Sequence, residues 1–204
     1  MKPIKVLPDI TAEEEYYARG YAVVAGTDEA GRGPLAGRVY AAACVLPRGA
    51  KLPGLCDSKK LTARAREKLF DIIVGVAVTY GIAYATVEEI DSLNILNAAQ
   101  LAMRRAVEML DPLPDVVLVD GNIARDFRML AVPIVGGDAS SLSIAAASIL
   151  AKVARDRYCL ELDKLYPEYG FAVHKGYPTK AHYEAIEKYG PIPGVHRNSF
   201  KLYR

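Results

Sequence analysis

The chain has 204 residues and carries 26 Lys and Arg against 24 Asp and Glu, a formal net charge of +2 with histidine neutral. That length buries a sizeable core in one domain, and so small a net charge does not by itself announce a nucleic-acid binder. Three widely spaced cysteines, Cys44, Cys56 and Cys159, form no C-x-x-C, which argues against a zinc site and for free thiols in a reducing compartment.

The opening MKPIKVLPDI lacks the long apolar core of a signal peptide, and the weakly polar segment from Ile72 to Thr86 is too short to span a bilayer. A soluble cytoplasmic protein is expected. Thr11 to Arg19 reads as a short amphipathic helix with Gly20 as its stop signal. Tyr21 to Thr27 is an apolar strand, and Val39 to Leu46 a second that could pair with it as a hairpin through the Gly-rich connection. Thr62 caps a helix with apolar residues at helical spacing. A third strand is predicted over Tyr80 to Thr86. The stretch Thr86 to Leu110 reads as helix, broken near Ser92 to Asn94.

Between Pro114 and Gly121 lies a valine-rich run, hence a buried strand, and Ala131 to Val135 is a candidate for another. Asp138 to Pro167 reads as one long helix, small and apolar at first, then charged. Pro178 to Gly190 is the final helix. No internal repeat or low-complexity tract interrupts this order. Two strands followed by alternating helices and strands predict an α/β layer structure with a mixed sheet. The end of the chain is basic: from Phe171 on, Lys175, Lys180, Lys188, Arg197, Lys201 and Arg204 stand against Glu184 and Glu187, and all three histidines fall there. This is a weak hint of a polyanionic partner.

The chemistry sits at strand ends. Asp28 and Glu29 follow the first strand, Asp120 follows the valine-rich strand, and Asp138 follows the next apolar piece. In open α/β sheets the functional crevice lies beyond strand ends. Carboxylates gathered there repel one another unless cations intervene, and oxygen-only ligands suit hard divalent ions, Mg²⁺ first. Each acid alone also has an ordinary reading: a turn residue after a strand, or for Asp138 a helix N-cap. Adjacent residues of a strand point to opposite faces, so Asp28 and Glu29 reach one site only if the strand ends at them. Asp156 lies 18 residues beyond Asp138 on the same predicted helix, roughly 27 Å away. Set between Arg155 and Arg157, it is expected to be a structural ion pair.

The segments GTDEAGRGPLAG, DSKKLT, VDGN, GGDASSLSIAAASILAKVARD, HKGYPTKAH and HRNSF resemble ribonuclease HII, in that order, from about Val23 to Phe200. The ending resembles bacterial members. Arg38 departs from the proline that many members carry. The resemblance implies a ribonuclease H-like fold: a mixed central sheet flanked by helices, with residues 1–170 as the catalytic domain and 171–204 as a helical, basic, substrate-binding extension of it. It implies an endoribonuclease that cuts the RNA strand of RNA–DNA hybrids and the 5′ side of single ribonucleotides in duplex DNA, leaving 3′-hydroxyl and 5′-phosphate. Two ions, Mg²⁺ or Mn²⁺, are implied, on Asp28, Glu29, Asp120 and Asp138.

By the same likeness Gly31, Arg32 and Gly33 sense the 2′-hydroxyl, Arg32 also meeting a phosphate, and Tyr177 packs against the sugar next to the ribonucleotide. Glycines let backbone groups approach a ribose closely, and that hydroxyl is both donor and acceptor. Ser58, Lys59 and Lys60, ahead of a helix, are candidate phosphate contacts, and Lys175 is another. His174 is expected as an exposed loop histidine. Tyr40, Tyr84, Tyr158 and Tyr166 are expected as core or surface aromatics. No clamp-binding motif is seen at the C-terminus, no membrane partner is implied, and a monomer is expected. A DNA-directed nuclease on the same fold, a binding module that has lost catalysis and a Mg²⁺-dependent phosphatase are the rival readings.

Overall fold

The computed structural model describes residues 11–55 and 61–203. The candidate phosphate contacts Ser58, Lys59 and Lys60 lie outside them. Five strands form one mixed sheet: β1 (Val24–Ala30), β2 (Val39–Val45), β3 (Thr79–Ala85), β4 (Val116–Asp120) and β5 (Leu130–Ile134), in the order β3-β2-β1-β4-β5. β1, β2 and β3 pair antiparallel, whereas β4 and β5 run parallel to β1. The helices are α1 (Thr11–Ala18), α2 (Ala63–Val76), α3 (Val87–Leu93), α4 (Ile95–Glu108), α5 (Leu142–Leu165), α6 (Phe171–His174) and α7 (Lys180–Tyr189). This is the mixed sheet flanked by helices that the sequence predicts.

The centre of the sheet is buried on both faces, because β2 and β4 are apolar at nearly every position and not only at alternate ones, whereas β5 at the edge is partly exposed. On β2, Ala41, Ala43 and Val45 pack in a cluster with Ala98, Ala102 and Met103 of α4. The intervening Ala42 and Cys44 pack with Leu69 and Ile73 of α2 and with Ala146 and Ile149 of α5. Small residues bring the helices close. A Cβ on Gly26 of β1 would stand 2.2 Å from the Ile144 amide nitrogen, so the first turn of α5 lies directly on that strand. A third cluster joins α6, α7 and the C-terminal segment to Leu35, Ala36 and Leu162.

Three boundaries differ from expectation. β1 begins and ends three residues later than predicted, so Asp28 and Glu29 lie within it. Pairing of Asp28 with Ala42, Glu29 with Ala41 and Ala30 with Tyr40 carries the strand past the acids, while Ala22 and Val23 donate instead to the Asp115 carboxylate, each at 2.9 Å. The long helix starts at Leu142: Gly137–Ala139 forms a 3₁₀ turn first, and Ser141, not Asp138, accepts from the Ile144 amide. Asp138 is therefore no N-cap of α5. The break in the α3–α4 stretch falls at Asn94, as predicted, with φ of 68° and a side chain that caps α4. Among the described residues no helix is long and apolar enough to cross a membrane.

Gly26→Ala forces a methyl group into the α5 backbone and is expected to cost about 2–3 kcal/mol. Urea denaturation checks this; a loss below about 0.5 kcal/mol would contradict the close contact of β1 and α5.

Candidate active site

β1 and β4 stop pairing with each other before β1 itself ends, since β1 runs on past both acids to Ala30 against β2. Their last paired residues are Thr27 and Val119, so Asp28 and Asp120 follow one step later at the carboxyl ends of two parallel neighbours. The Asp120 carboxylate accepts from the Gly137 amide at 2.8 Å, which ties the 3₁₀ turn carrying Asp138 to the end of β4. Glu29 is adjacent to Asp28 by sequence. All four acids line one cavity of about 600 Å³, together with Gly31, Arg32, Gly33 and Tyr177. The structure thus brings together eight residues singled out from the sequence. It does not bring in Lys175, which is not among the lining residues. That residue adopts a left-handed turn (φ 53°), and its carbonyl accepts from Arg155 at 2.8 Å.

The acids are held in an electrostatically costly state. Asp28 is only 7 % exposed. Burial first, then the charges of Glu29 and Asp120, push its carboxyl well above the usual carboxylate range, against hydrogen bonds from Ser148 and the Glu29 amide. Burial also raises Glu29; Arg32 opposes this and Asp120 reinforces it. The Arg32 guanidinium stands 3.4 Å from the Glu29 carboxylate with half its side chain exposed, so the pair is a weak one.

Sequence reasoning missed Ser148 and Lys152, which line the same cavity one helical turn apart on α5. The run of small residues around them reads as core, and the i, i+4 spacing was the available signal. The Lys152 ammonium lies 2.6 Å from Asp156, which also meets Arg66 at 3.1 Å. Asp156 is a structural ion pair as expected, although its partners are not the flanking arginines.

Just beyond Glu29 in the chain, the Gly31–Gly33 turn is packed against Arg155 and Arg197. Gly31 has φ of 103°, and a Cβ there would sit 2.1 Å from Nε of Arg155. A Cβ on Gly33 would stand 3.4 Å from the Tyr177 ring, so the turn and the ring approach each other closely. Arg197 is fully buried and donates to the carbonyls of Gly31, Arg32, Pro34 and Gly37 at 2.6–2.9 Å. Burial, then the Arg155 charge, lowers its pKa to about 9. His174 is buried, not the exposed loop histidine expected. Tyr40, Tyr84 and Tyr158 form an aromatic group in which Arg38 lies 4.2 Å from the centre of the Tyr84 ring. The residue that departs from the common proline thus serves surface packing.

The donor set suits a hard divalent cation, because it offers carboxylate oxygens alone and too much negative charge for its burial. Among the described residues no three His, Cys, Asp or Glu side chains are grouped closely enough to hold a metal ion.

A mixed sheet with helices on both faces and an acid-lined crevice at its strand ends defines a ribonuclease H-type enzyme. The family model described as Ribonuclease HII matches residues 25–203. A ribonuclease HII of Laribacter hongkongensis is 58 % identical over 180 residues, which cover 87 % of this chain and 90 % of that protein. The solved ribonuclease H2 of Pyrococcus horikoshii superposes with a TM-score of 0.74 at 29 % identity, covering 89 % of this chain and 95 % of that one. The solved Bst-RNase HIII in complex with Mn²⁺ shares the fold at a TM-score of 0.67 and 19 % identity, covering 88 % of this chain and 67 % of that one. The chain belongs to the ribonuclease HII family and is a type 2 ribonuclease H.

Asp28 is a carboxyl whose folded pKa is raised, so its contribution to stability is intact below the unfolded value of about 4 and is lost as pH rises through the folded pKa. Asp28→Asn removes the charge that burial opposes. In the metal-free protein the variant is expected to melt at least about 2 °C higher than wild type at pH 8, with the gain vanishing near pH 4. A lower melting temperature at pH 8 would contradict the electrostatic account.

Proposed function

We propose that this enzyme cleaves the RNA strand of RNA–DNA hybrids and the 5′ side of single ribonucleotides embedded in duplex DNA, leaving 3′-hydroxyl and 5′-phosphate ends. The observation that carries the reading is one cavity lined both by four acids, Asp28, Glu29, Asp120 and Asp138, and by Gly31, Arg32, Gly33 and Tyr177. Asp28, Glu29, Asp120 and Asp138 would hold two divalent ions, Mg²⁺ or Mn²⁺, which when bound supply an activated water and stabilise the leaving oxygen. That the family is divalent-metal dependent supports this.

Each protein group has its own task. The backbone of Gly31 and Gly33, which carry no side chains, receives the ribose and reads its 2′-hydroxyl. Arg32 holds a phosphate. The Tyr177 ring, 43 % exposed at the cavity edge, packs against the neighbouring sugar, where it tolerates a deoxyribose and crowds a 2′-hydroxyl. Lys152 adds positive charge near the backbone phosphate. Two glycines flanking Arg32 beside the acids favour a ribonuclease over a DNA-directed nuclease, whose substrate has no 2′-hydroxyl for a close backbone approach to read.

End-labelled duplexes bearing zero, one or four ribonucleotides test this in Mg²⁺ and in Mn²⁺. Cleavage is expected only where a ribonucleotide is present, and equal cutting of the all-DNA duplex would overturn the reading. Asp28→Asn is expected to lower kcat at least about a thousandfold, roughly 4 kcal/mol, with duplex binding kept. Tyr177→Ala is expected to lose about fivefold more kcat/KM on a single ribonucleotide than on a continuous hybrid; equal losses would show that the ring does not read the junction.

A further inference from the structure

The three histidines of the chain, His174, His182 and His196, meet in the C-terminal segment. His182 is fully buried, and His174 and His196 are nearly so. The rings of His174 and His182 stack with centroids 4.3 Å apart, and Phe171 stands edge-on to both. None has a carboxylate within hydrogen-bonding distance among the contacts the structure shows.

Their hydrogen bonds permit a single arrangement of protons. The Ile192 amide donates to Nδ1 of His196 at 2.8 Å, so the proton of His196 resides on Nε2. That nitrogen lies 3.2 Å from Nε2 of His182 and donates to it. His182 is left with its proton on Nδ1, which faces the Tyr177 carbonyl at 3.0 Å. His174 is fixed independently: the Gly176 amide donates to its Nδ1 at 3.1 Å, and its Nε2 donates to the Tyr169 carbonyl at 2.7 Å. All three rings are neutral, each in one tautomer. Burial, the leading cause, holds His182 and His196 down to about 4 and lowers His174 as well.

The chain ends on Tyr177, whose ring faces Gly33. Its other end is the residue before Arg197, the guanidinium that holds the Gly31, Arg32 and Pro34 carbonyls. Consecutive residues, His196 and Arg197, therefore link to Tyr177 and to the Gly31–Gly33 turn, which approach each other at the cavity. Backbone pairing reinforces the link: the Leu35 amide donates to Gly176, and the Arg197 amide donates to Leu35.

We propose that His182 and His196 are positioning residues for ribonucleotide recognition: their neutral hydrogen-bond chain sets the distance between Tyr177 and the Gly31–Gly33 turn. The proposal rests on the reading of this cavity as a ribonucleotide site. Neither histidine lines the cavity, so each acts on the substrate through Tyr177. A buried hydrogen-bonded network with every member satisfied is suited to fixing one geometry.

His182→Leu keeps the ring's approximate volume and removes the donor, whereas the amide of His182→Asn places a donor where Nδ1 stood. The quantity measured is kcat/KM on a duplex with one ribonucleotide divided by that on a continuous hybrid. His182→Leu is expected to lower this ratio about fivefold or more, and His182→Asn to hold it within about twofold of wild type. If the Leu variant is folded by circular dichroism and keeps the wild-type ratio, the positioning role is overturned. If wild type itself cuts without regard to ribonucleotides, the functional reading falls and takes this proposal with it. A second arm needs no variant: ¹⁵N imidazole shifts of wild type at neutral pH are expected to show His182 protonated on Nδ1 and His174 and His196 on Nε2. Averaged tautomers, or a charged ring among the three, would overturn the chain.

Discussion

Negative charge gathered in a buried crevice is the constraint on which the rest of the structure depends. Asp28 and Asp120 extend from neighbouring parallel strands, Glu29 follows Asp28, and a hydrogen bond from Gly137 to Asp120 draws in the turn bearing Asp138. Burial and mutual repulsion both oppose ionisation of Asp28. A fold arranges such a cluster at a cost in stability, which a cation bound to the folded state would offset by mass action. Parallel pairing of β1 and β4, the close seat of α5 on Gly26 and the 3₁₀ turn ahead of α5 together hold the charges where they repel.

The Gly31–Gly33 turn is held by charge of the other sign: two buried guanidiniums, Arg155 and Arg197, pack against it, and among the described residues neither has a carboxylate hydrogen-bond partner. Arg197 is satisfied by backbone carbonyls, while Nε and Nη1 of Arg155 lack hydrogen-bond partners. Positive charge thus packs against the Gly31–Gly33 turn, and the acids line the same cavity as that turn. A duplex entering it would meet carboxylates suited to cations beside two glycines that flank Arg32.

Much of this was legible in the sequence, for reasons that differ residue by residue. The valine-rich β4 and the Asn94 break announce themselves locally, the first by composition and the second because Asn tolerates positive φ. The acids of the cavity and its Gly-Arg-Gly turn were found because short motifs carry them. The end of β1 was not legible, since its hairpin partner, not its own residues, extends it past Asp28. Nor was the start of α5: Asp138, Ser140 and Ser141 are all competent caps, and only the 3₁₀ turn selects Ser141. Ser148 and Lys152 hid in a helix that reads as core. The histidine chain was least accessible, because burial of His174, His182 and His196 depends on contacts between segments separated by loops.

The central claim is that burial and mutual repulsion oppose ionisation of Asp28 and that a divalent cation relieves this. Calorimetric titration of Mg²⁺ into the metal-free protein, repeated in buffers of different ionisation heat between about pH 5 and pH 8, measures the protons released on binding directly. The account predicts net proton release on binding in wild type and a smaller release in Asp28→Asn. Binding with no proton release anywhere in that range would contradict it.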